Sequence, residues 1–172
     1  MRRLLLLRHG KAAAESGGGD IERALTLRGQ QDAALMGQYL ARENLAPDTA
    51  VVSSARRTRE TLECVKRELP SLPAIYVEPK LYLAEPDLLL AHLRRTPPAT
   101  GVLLAIGHNP GYAELAVALS GFGDMAARNS ILHKFPTCAL AVISFETDWA
   151  QVKPGAGRLE RHVIASQLRD PA

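Results

Sequence analysis

The chain has 172 residues, of which 47% are hydrophobic and 23% charged, a balance typical of soluble globular proteins and not of disordered chains. This length predicts a single domain over residues 1–172. The net charge of +3 is small, and three Phe, four Tyr and one Trp are spread along the chain, unlike the clustered basic and aromatic surface of a nucleic-acid-binding protein. No apolar stretch approaches the ~18 residues of a membrane span. Cys64 and Cys138 fall in segments that predict core positions and not a disulfide framework, so we expect a cytoplasmic protein with no membrane or nucleic-acid partner.

The first predicted strand, Met1–Leu7, runs into the tripeptide Arg8-His9-Gly10. Ligands of open α/β sheets bind just beyond the strand ends, so this tripeptide falls where a site is expected. A polar, glycine-rich loop follows from Lys11 to Glu22, and its composition fits a mobile flap or a plain surface connection equally well. The next pattern predicts a helix with Thr26 as its N-cap and an end near Asn44.

The middle of the chain repeats the alternation of strand and helix. A second strand is predicted at Asp48–Ser53 and a helix at Arg57–Leu69, which Pro70 closes. A short third strand follows at Ala74–Val77, and a helix at Pro86–Arg95. Because the connections are short and each strand is followed by a helix, this part predicts parallel strand pairing.

The last third begins with the continuous apolar run Gly101–Ile106, as expected for a central strand covered on both faces. It ends at Gly107-His108-Asn109-Pro110-Gly111, and Tyr112–Leu119 is predicted as a helix. Further strands are predicted at Cys138–Phe145 and, as a final edge strand, at Arg158–Val163. The whole pattern predicts a three-layer α/β/α sandwich with a mostly parallel central sheet.

Three of the predicted strands end in groups suited to phosphate: Arg8-His9-Gly10, the segment from Ser53 to Arg57, and Gly107-His108-Asn109-Pro110-Gly111. The carboxyl ends of parallel strands meet at one edge of a sheet, so these groups are expected to converge on one pocket. A phosphoryl group in transfer carries negative charge on its oxygens, and arginine presents a planar fork of donors that matches them.

These three motifs, in this order, resemble those of the histidine phosphatase superfamily, whose fold is phosphoglycerate-mutase-like. In the second motif the resemblance includes Arg57 and Thr61, four and eight residues after Ser53. The short length, the Gly-His-Asn-Pro-Gly form of the third motif and Phe135-Pro136-Thr137 before a late strand are similar to the phosphohistidine phosphatases of the SixA type. The resemblance extends from Arg2 to about Phe145.

The resemblance implies that His9 is the nucleophile of a covalent phosphohistidine intermediate, with Arg8, Arg57 and His108 binding the phosphoryl group. The neighbouring arginines disfavour the cationic form of His9, which leaves a neutral nitrogen free to attack. His108 is expected to donate hydrogen bonds to the developing charge. Lys11 adds positive charge near the phosphate, and Asn109 is either a further substrate contact or the start of a turn. Hydrolysis of the intermediate needs only water, so no metal and no organic cofactor is expected.

For two of the predicted roles, the second arginine and the proton donor, nearby residues are alternatives. Arg57 has the family spacing from Ser53, whereas the nearby Arg56 and Arg59 are more typical of a solvated helix face. For the proton donor, the resemblance indicates a carboxylate after the third strand, where Glu85 is the main candidate and Asp87 stands two residues on. An acid at the start of a helix is also favoured by the helix dipole alone. Asp20 and Arg23 match positions that are expected to hold the loop.

The sequence therefore predicts a metal-independent phosphatase that acts through His9. Its expected substrate is phosphohistidine in a protein, such as a component of a phosphorelay. A phosphomonoesterase acting on a small phosphorylated metabolite is the alternative enzyme, and a non-catalytic phosphate-binding regulatory module is the alternative outside enzymes.

Overall fold

The computed structural model describes residues 1–14 and 17–169. Its strands are β1 (Arg2–Arg8), β2 (Thr49–Ser53), β3 (Ala74–Glu78), β4 (Val102–Gly107), β5 (Ser120–Gly123), β6 (Leu140–Phe145) and β7 (Gly157–Val163). Its α-helices are α1 (Leu27–Arg42), α2 (Arg56–Arg67), α3 (Pro86–Leu93), α4 (Gly111–Leu119), α5 (Met125–His133) and α6 (Ala165–Arg169). Short 3-10 turns cover Asp20–Glu22, Pro79–Leu81 and Trp149–Gln151.

The strands form one sheet in the order β3-β2-β4-β1-β6-β7-β5. The pairs β3–β2, β2–β4, β4–β1 and β5–β7 are parallel, whereas β6 is antiparallel to both β1 and β7. The prediction of a mostly parallel sheet is therefore confirmed. The longest uninterrupted parallel part, from β3 to β1, contains all three strands whose ends carry the phosphate-suited motifs.

Successive leucines of β1 face opposite sides of the sheet, because side chains alternate along a strand. Leu4 and Leu6 pack in one core with residues of α3, α4 and α5, and Leu5 and Leu7 pack in a second core with residues of α1, α2 and α6. Each of the four leucines is almost fully buried, which stabilises the fold by roughly 1.5–3 kcal/mol per side chain. Helices thus cover both faces of the sheet, and the predicted three-layer α/β/α sandwich is confirmed.

Thr26 caps α1 as predicted, since its side-chain oxygen accepts a hydrogen bond from the Gly29 amide at 3.0 Å. The predicted bounds of α2 and β4 differ from the structure by one or two residues at each end, whereas α3 begins at Pro86 as predicted and ends two residues earlier, at Leu93. Cys138 precedes β6, which begins at Leu140, because its backbone has φ 59 and cannot continue a strand there. Cys64 and Cys138 are both free thiols.

The last strand, β7, forms as predicted, but the prediction that it lies at an edge of the sheet is wrong, because β7 pairs with β6 on one side and with β5 on the other. The edges of the sheet are β3 and β5. The strand β5 and the helices α5 and α6 were not predicted. None of the helices in residues 1–14 and 17–169 has both the length and the apolar character needed to cross a membrane.

Candidate active site

The carboxyl ends of β1, β2 and β4 lie side by side at one edge of the sheet. Arg8 of β1 is paired with Gly107 of β4, so the next residue of each strand, His9 and His108, emerges at the same level. Their ring centroids lie 5.4 Å apart. The parallel register thus brings together two histidines that are almost one hundred residues apart in sequence.

His9 is held in one tautomer by its own turn. Its Nδ1 lies 2.7 Å from the carbonyl oxygen of Gly10, which can only accept a hydrogen bond, so Nδ1 carries the proton. Its Nε2 therefore presents a lone pair, which accepts a hydrogen bond from Nε of Arg57 at 3.3 Å. The amide of Gly10 donates to the hydroxyl of Thr61 at 3.0 Å, which fixes the turn that follows the histidine.

Arg57, in the first turn of α2, is only 3% exposed and faces both histidines. Besides the bond to His9, one of its terminal nitrogens lies 3.3 Å from Nδ1 of His108. The side chain of Arg56 pairs with Glu60 at the surface, and that of Arg59 donates to the carbonyl oxygen of Ser54. The structure thus brings Arg57, and neither of its neighbours, to the histidines.

His108 is held by a contact with Ser53, the last residue of β2. Because Nδ1 of His108 faces a donor of Arg57, its proton lies on Nε2, which donates to the Ser53 hydroxyl at 2.7 Å. The sequence predicts that His108 donates to a phosphoryl group. In this arrangement its single N–H is directed to Ser53, so such donation requires a second proton on Nδ1.

Burial lowers the pKa of both histidines. It lowers the pKa of His9 to about 4, and the charges of Arg57 and Arg8 act in the same direction. Burial also lowers the pKa of His108 to about 3, with His9 and Arg57 contributing. Both imidazoles are therefore neutral at pH 7, which is the form that His9 needs as a nucleophile.

The loop before β6 supports the first arginine. The carbonyl oxygen of Phe135 accepts a hydrogen bond from Arg8 at 3.2 Å and another from the side-chain amide of Asn109 at 2.7 Å. The amide of Cys138 donates to the carbonyl oxygens of Arg8 and His9. Asn109 therefore holds the loop that orients Arg8.

These groups line an open cavity of about 370 Å³. Its lining residues are Arg8, His9, Lys11, Ala12, Asp20, Arg23, Arg57, Leu83, His108, Asn109 and Thr137. Lys11 is exposed at the mouth. Among the residues that the structure describes, no group of three or more His, Cys, Asp or Glu side chains is placed to hold a metal ion.

The cavity does not include Glu85, the predicted proton donor. Glu85 is the exposed N-cap position of α3, and its carboxylate forms no hydrogen bond with any residue in 1–14 or 17–169. Leu83, which has φ 51, is the residue of this segment that reaches the cavity. The prediction chose Glu85 because the resemblance indicates a carboxylate in the segment after the third strand, and the turn at Leu83 and the start of α3 separate it from the cavity. Asp87 is likewise exposed and does not line the cavity.

Two polar residues of the site carry contacts that the sequence analysis did not predict. Asp20 forms an ion pair with Arg57 at 3.0 Å and another with Arg23 at 3.0 Å. The hydroxyl of Tyr82 donates a hydrogen bond to the Asp20 carboxylate. Asp20 and Arg23 were expected to hold the loop, and their match to positions of the family was the available signal. No sequence signal indicated Tyr82. Of this loop, Glu15 and Ser16 lie outside the described residues, and the flap prediction stays a prediction.

Comparisons with known proteins place the chain among the phosphatases. The model of the histidine phosphatase superfamily (branch 1) matches residues 4–82. An uncharacterized protein of Mycobacterium tuberculosis (strain CDC 1551 / Oshkosh) is 35% identical over 155 residues, which are 89% of this chain and 96% of the relative.

Two solved structures are similar over nearly the whole chain. A structure from Nakamurella multipartitia, named for the phosphohistidine phosphatase SixA, has a TM-score of 0.83 and 27% identity and covers 95% of each chain. The protein histidine phosphatase SixA complexed with tungstate has a TM-score of 0.80 and 25% identity, over 96% of this chain and 99% of the other. The chain therefore belongs to the histidine phosphatase superfamily and is a phosphatase with the SixA-type fold.

Proposed function

We propose that the protein removes the phosphoryl group from phosphohistidine in a protein, through a covalent intermediate on His9. The observation that carries this proposal is that the cavity holds no carboxylic acid able to donate a proton, among residues 1–14 and 17–169. Glu85 lies outside the cavity, and Asp20, the one carboxylate that lines it in these residues, is ionised because its donors, the Tyr82 hydroxyl first, hold its pKa well below the usual range.

In the first step, Nε2 of His9 attacks phosphorus, and the bond from phosphorus to the substrate's nitrogen breaks. Arg57 and Arg8 offset the charge on the phosphoryl oxygens. A bound phosphoryl dianion also favours protonation of Nδ1 of His108, which turns that atom into a further donor. In the second step, water attacks phosphorus and His9 departs.

Both leaving groups of the two steps can depart as neutral imidazoles, which makes an acid dispensable. Since Nδ1 of His9 carries its proton towards the Gly10 carbonyl, His9 leaves as a neutral imidazole and needs no protonation at Nε2. A substrate phosphohistidine leaves in the same way when its other ring nitrogen is protonated. An alkyl or aryl ester instead leaves as an anionic oxygen, for which an acid lowers the barrier. The site is thus suited to breaking P–N bonds.

A metabolite phosphatase is the second candidate, because a cavity of about 370 Å³ is within the range of small-molecule sites. The fold alone does not separate the two substrate classes.

The test is phosphate release in buffer with a chelator, from a phosphohistidine-bearing protein and from an aryl phosphate in parallel. His9→Ala should abolish release from both, and His133→Ala, which changes an exposed histidine on α5, should not. We expect the wild type to prefer the phosphohistidine protein. A preference for the aryl phosphate would favour the metabolite phosphatase, and release that survives His9→Ala would overturn the proposal.

A further inference from the structure

The guanidinium of Arg57 has two edges, and they face different groups. The Nε hydrogen and one hydrogen of NH2 lie along one edge, which faces Nε2 of His9 and Nδ1 of His108 at 3.3 Å each. The NH1 hydrogen and the other hydrogen of NH2 lie along the second edge, which is bound by Asp20. The backbone oxygen of Asp20 accepts from NH1 at 2.8 Å and its carboxylate accepts from NH2 at 3.0 Å.

Each edge of a guanidinium presents two parallel donors, which is the geometry that binds two oxygens of one phosphoryl group. Because Asp20 occupies the edge away from the histidines, it leaves the other edge directed at the position where phosphorus must bind to meet Nε2 of His9. Asp20 and a phosphoryl group therefore do not compete for the same donors.

Asp20 is itself held by donors alone. One carboxylate oxygen accepts from Arg23, and the other accepts from Arg57 and from the Tyr82 hydroxyl. The Tyr82 ring also lies under the Arg57 guanidinium, 5.8 Å from ring centroid to guanidinium carbon, and edge-on to His108. These contacts form one connected cluster beneath the two histidines.

An ionised carboxylate with three donors is a poor acid and a weak base. Its pKa is held well below the usual range, chiefly by Tyr82 and then by Arg23 and Arg57. A direct role in proton transfer at neutral pH is therefore unfavourable.

We infer that Asp20 is a positioning residue of the phosphatase, and that Tyr82 holds it there. Asp20 sets the angle of the Arg57 guanidinium so that the edge facing the two histidines meets the phosphoryl group on His9. This inference rests on the proposed function of His9 and Arg57, but it concerns phosphoryl binding in general and not the choice between protein and metabolite substrates.

The test is a double-mutant cycle of Asp20→Asn and Arg57→Ala, with kcat and KM measured on an aryl phosphate and on a phosphohistidine protein. Both carboxylate oxygens of Asp20 accept hydrogen bonds, so the NH2 group of an asparagine side chain would face one of these donors in either orientation. Asp20→Asn should lower kcat/KM about 10- to 100-fold on either substrate, since a misaligned binding group costs that much. In the Arg57→Ala background the same change should cost less than about twofold, because its effect acts through Arg57.

The matched control is Glu22→Gln, which makes the same charge change in the same 3-10 turn at an exposed residue outside the cavity. Its kcat/KM should stay within about twofold of the wild type, as for a surface substitution. Tyr82→Phe removes one hydroxyl and keeps the ring, and should lower kcat/KM in the same direction by a smaller factor.

Orthovanadate binding, measured by calorimetry, needs no turnover. Asp20→Asn and Tyr82→Phe should both weaken it, whatever the physiological substrate is. Equal losses with Asp20→Asn in the presence and absence of Arg57, or unchanged orthovanadate binding in Tyr82→Phe and Asp20→Asn, would overturn the inference. Loss of His9-dependent turnover with orthovanadate binding as expected would instead contradict the proposed function alone.

Discussion

The position of the proton on the His9 ring and the neutral state of that ring have different physical causes. The Gly10 carbonyl holds the proton on Nδ1, while burial and the arginines keep Nε2 unprotonated. A hydrogen bond to the Gly10 carbonyl by itself raises the pKa of the imidazole, but burial is the larger effect and lowers the pKa overall. The result is a nucleophile that stays neutral at pH values at which a free histidine is already protonated.

Arg57→Ala tests this electrostatic account at the level of one residue. The substitution removes a cation 3.3 Å from Nε2 of His9, so the pKa of His9 should rise from about 4 towards the ordinary value. NMR titration of the imidazole resonances, assigned with a His9→Asn variant, measures the shift. Arg56→Ala removes an exposed cation from the same helix turn and should leave the titration of His9 unchanged. A lower or identical midpoint in Arg57→Ala would contradict the account.

At the scale of elements, the start of α1 packs directly on the chain that follows His9. The amide and hydroxyl of Thr26 both donate to the Lys11 carbonyl, at 2.8 and 3.1 Å. Two glycines allow this approach: a Cβ on Gly10 would lie 2.7 Å from the Gly29 oxygen, and a Cβ on Gly29 would collide with the Lys11 backbone. The position of His9 therefore depends on a helix that contributes no side chain to the chemistry.

Gly29→Ala tests this contact, because the close approach and the helix propensity of alanine change the free energy of unfolding in opposite directions. Alanine favours a helix over glycine by about 1 kcal/mol, but the collision is with backbone and the misfit should cost about 1–3 kcal/mol. We expect a lower free energy of unfolding in urea and a reduced kcat, because the segment after His9 must move. Gln30→Ala, at the exposed neighbouring position, should change stability by less than about 0.5 kcal/mol. A Gly29→Ala protein that is more stable than the wild type would show that the contact is not tight.

The elements that could be predicted are those with strong local patterns. The apolar runs of β1 and β4 and the cap at Thr26 carry their signals in a few adjacent residues. The strand β5 has only four residues, two of them glycine, and α5 buries only Ala127 and Ile131, so neither has a periodic pattern strong enough to detect. The interior place of β7 depends on its pairing with β5, and missing one strand made the other an apparent edge.

For the whole molecule, the convergence of the three motifs could be predicted because parallel strands end at one edge of a sheet. The contacts that hold the motif residues in place could not be predicted. Tyr82 and Phe135 contribute a hydroxyl and a backbone carbonyl whose partners are brought to them by tertiary packing, with no spacing in sequence to indicate it. Glu85 lies outside the cavity for the related reason that closeness in sequence to a site segment does not direct a side chain into the site.

Buried histidines make the stability of the whole fold depend on pH. Burial lowers the pKa of four histidines: those of His9, His108 and His162 to about 4, 3 and 4, and that of His92 in the same direction. In the unfolded chain they titrate near 6.5, so between about pH 6.5 and 4 the unfolded state binds more protons than the folded one. The stability that each contributes is present above pH 6.5 and is lost as the pH falls towards the folded value, at up to about 1.4 kcal/mol per pH unit.

His162→Phe isolates one of these contributions away from the catalytic histidines. The His162 ring stacks on Phe135 with centroids 5.4 Å apart, and phenylalanine preserves the stacking while removing the titrating group. Between pH 7 and 5 the variant should lose about 2 kcal/mol less unfolding free energy than the wild type. Urea unfolding at both pH values measures this difference, and His133→Gln, which alters an exposed histidine on α5, is the control. If His162→Phe and the wild type lose equal stability, His162 is not held neutral by burial.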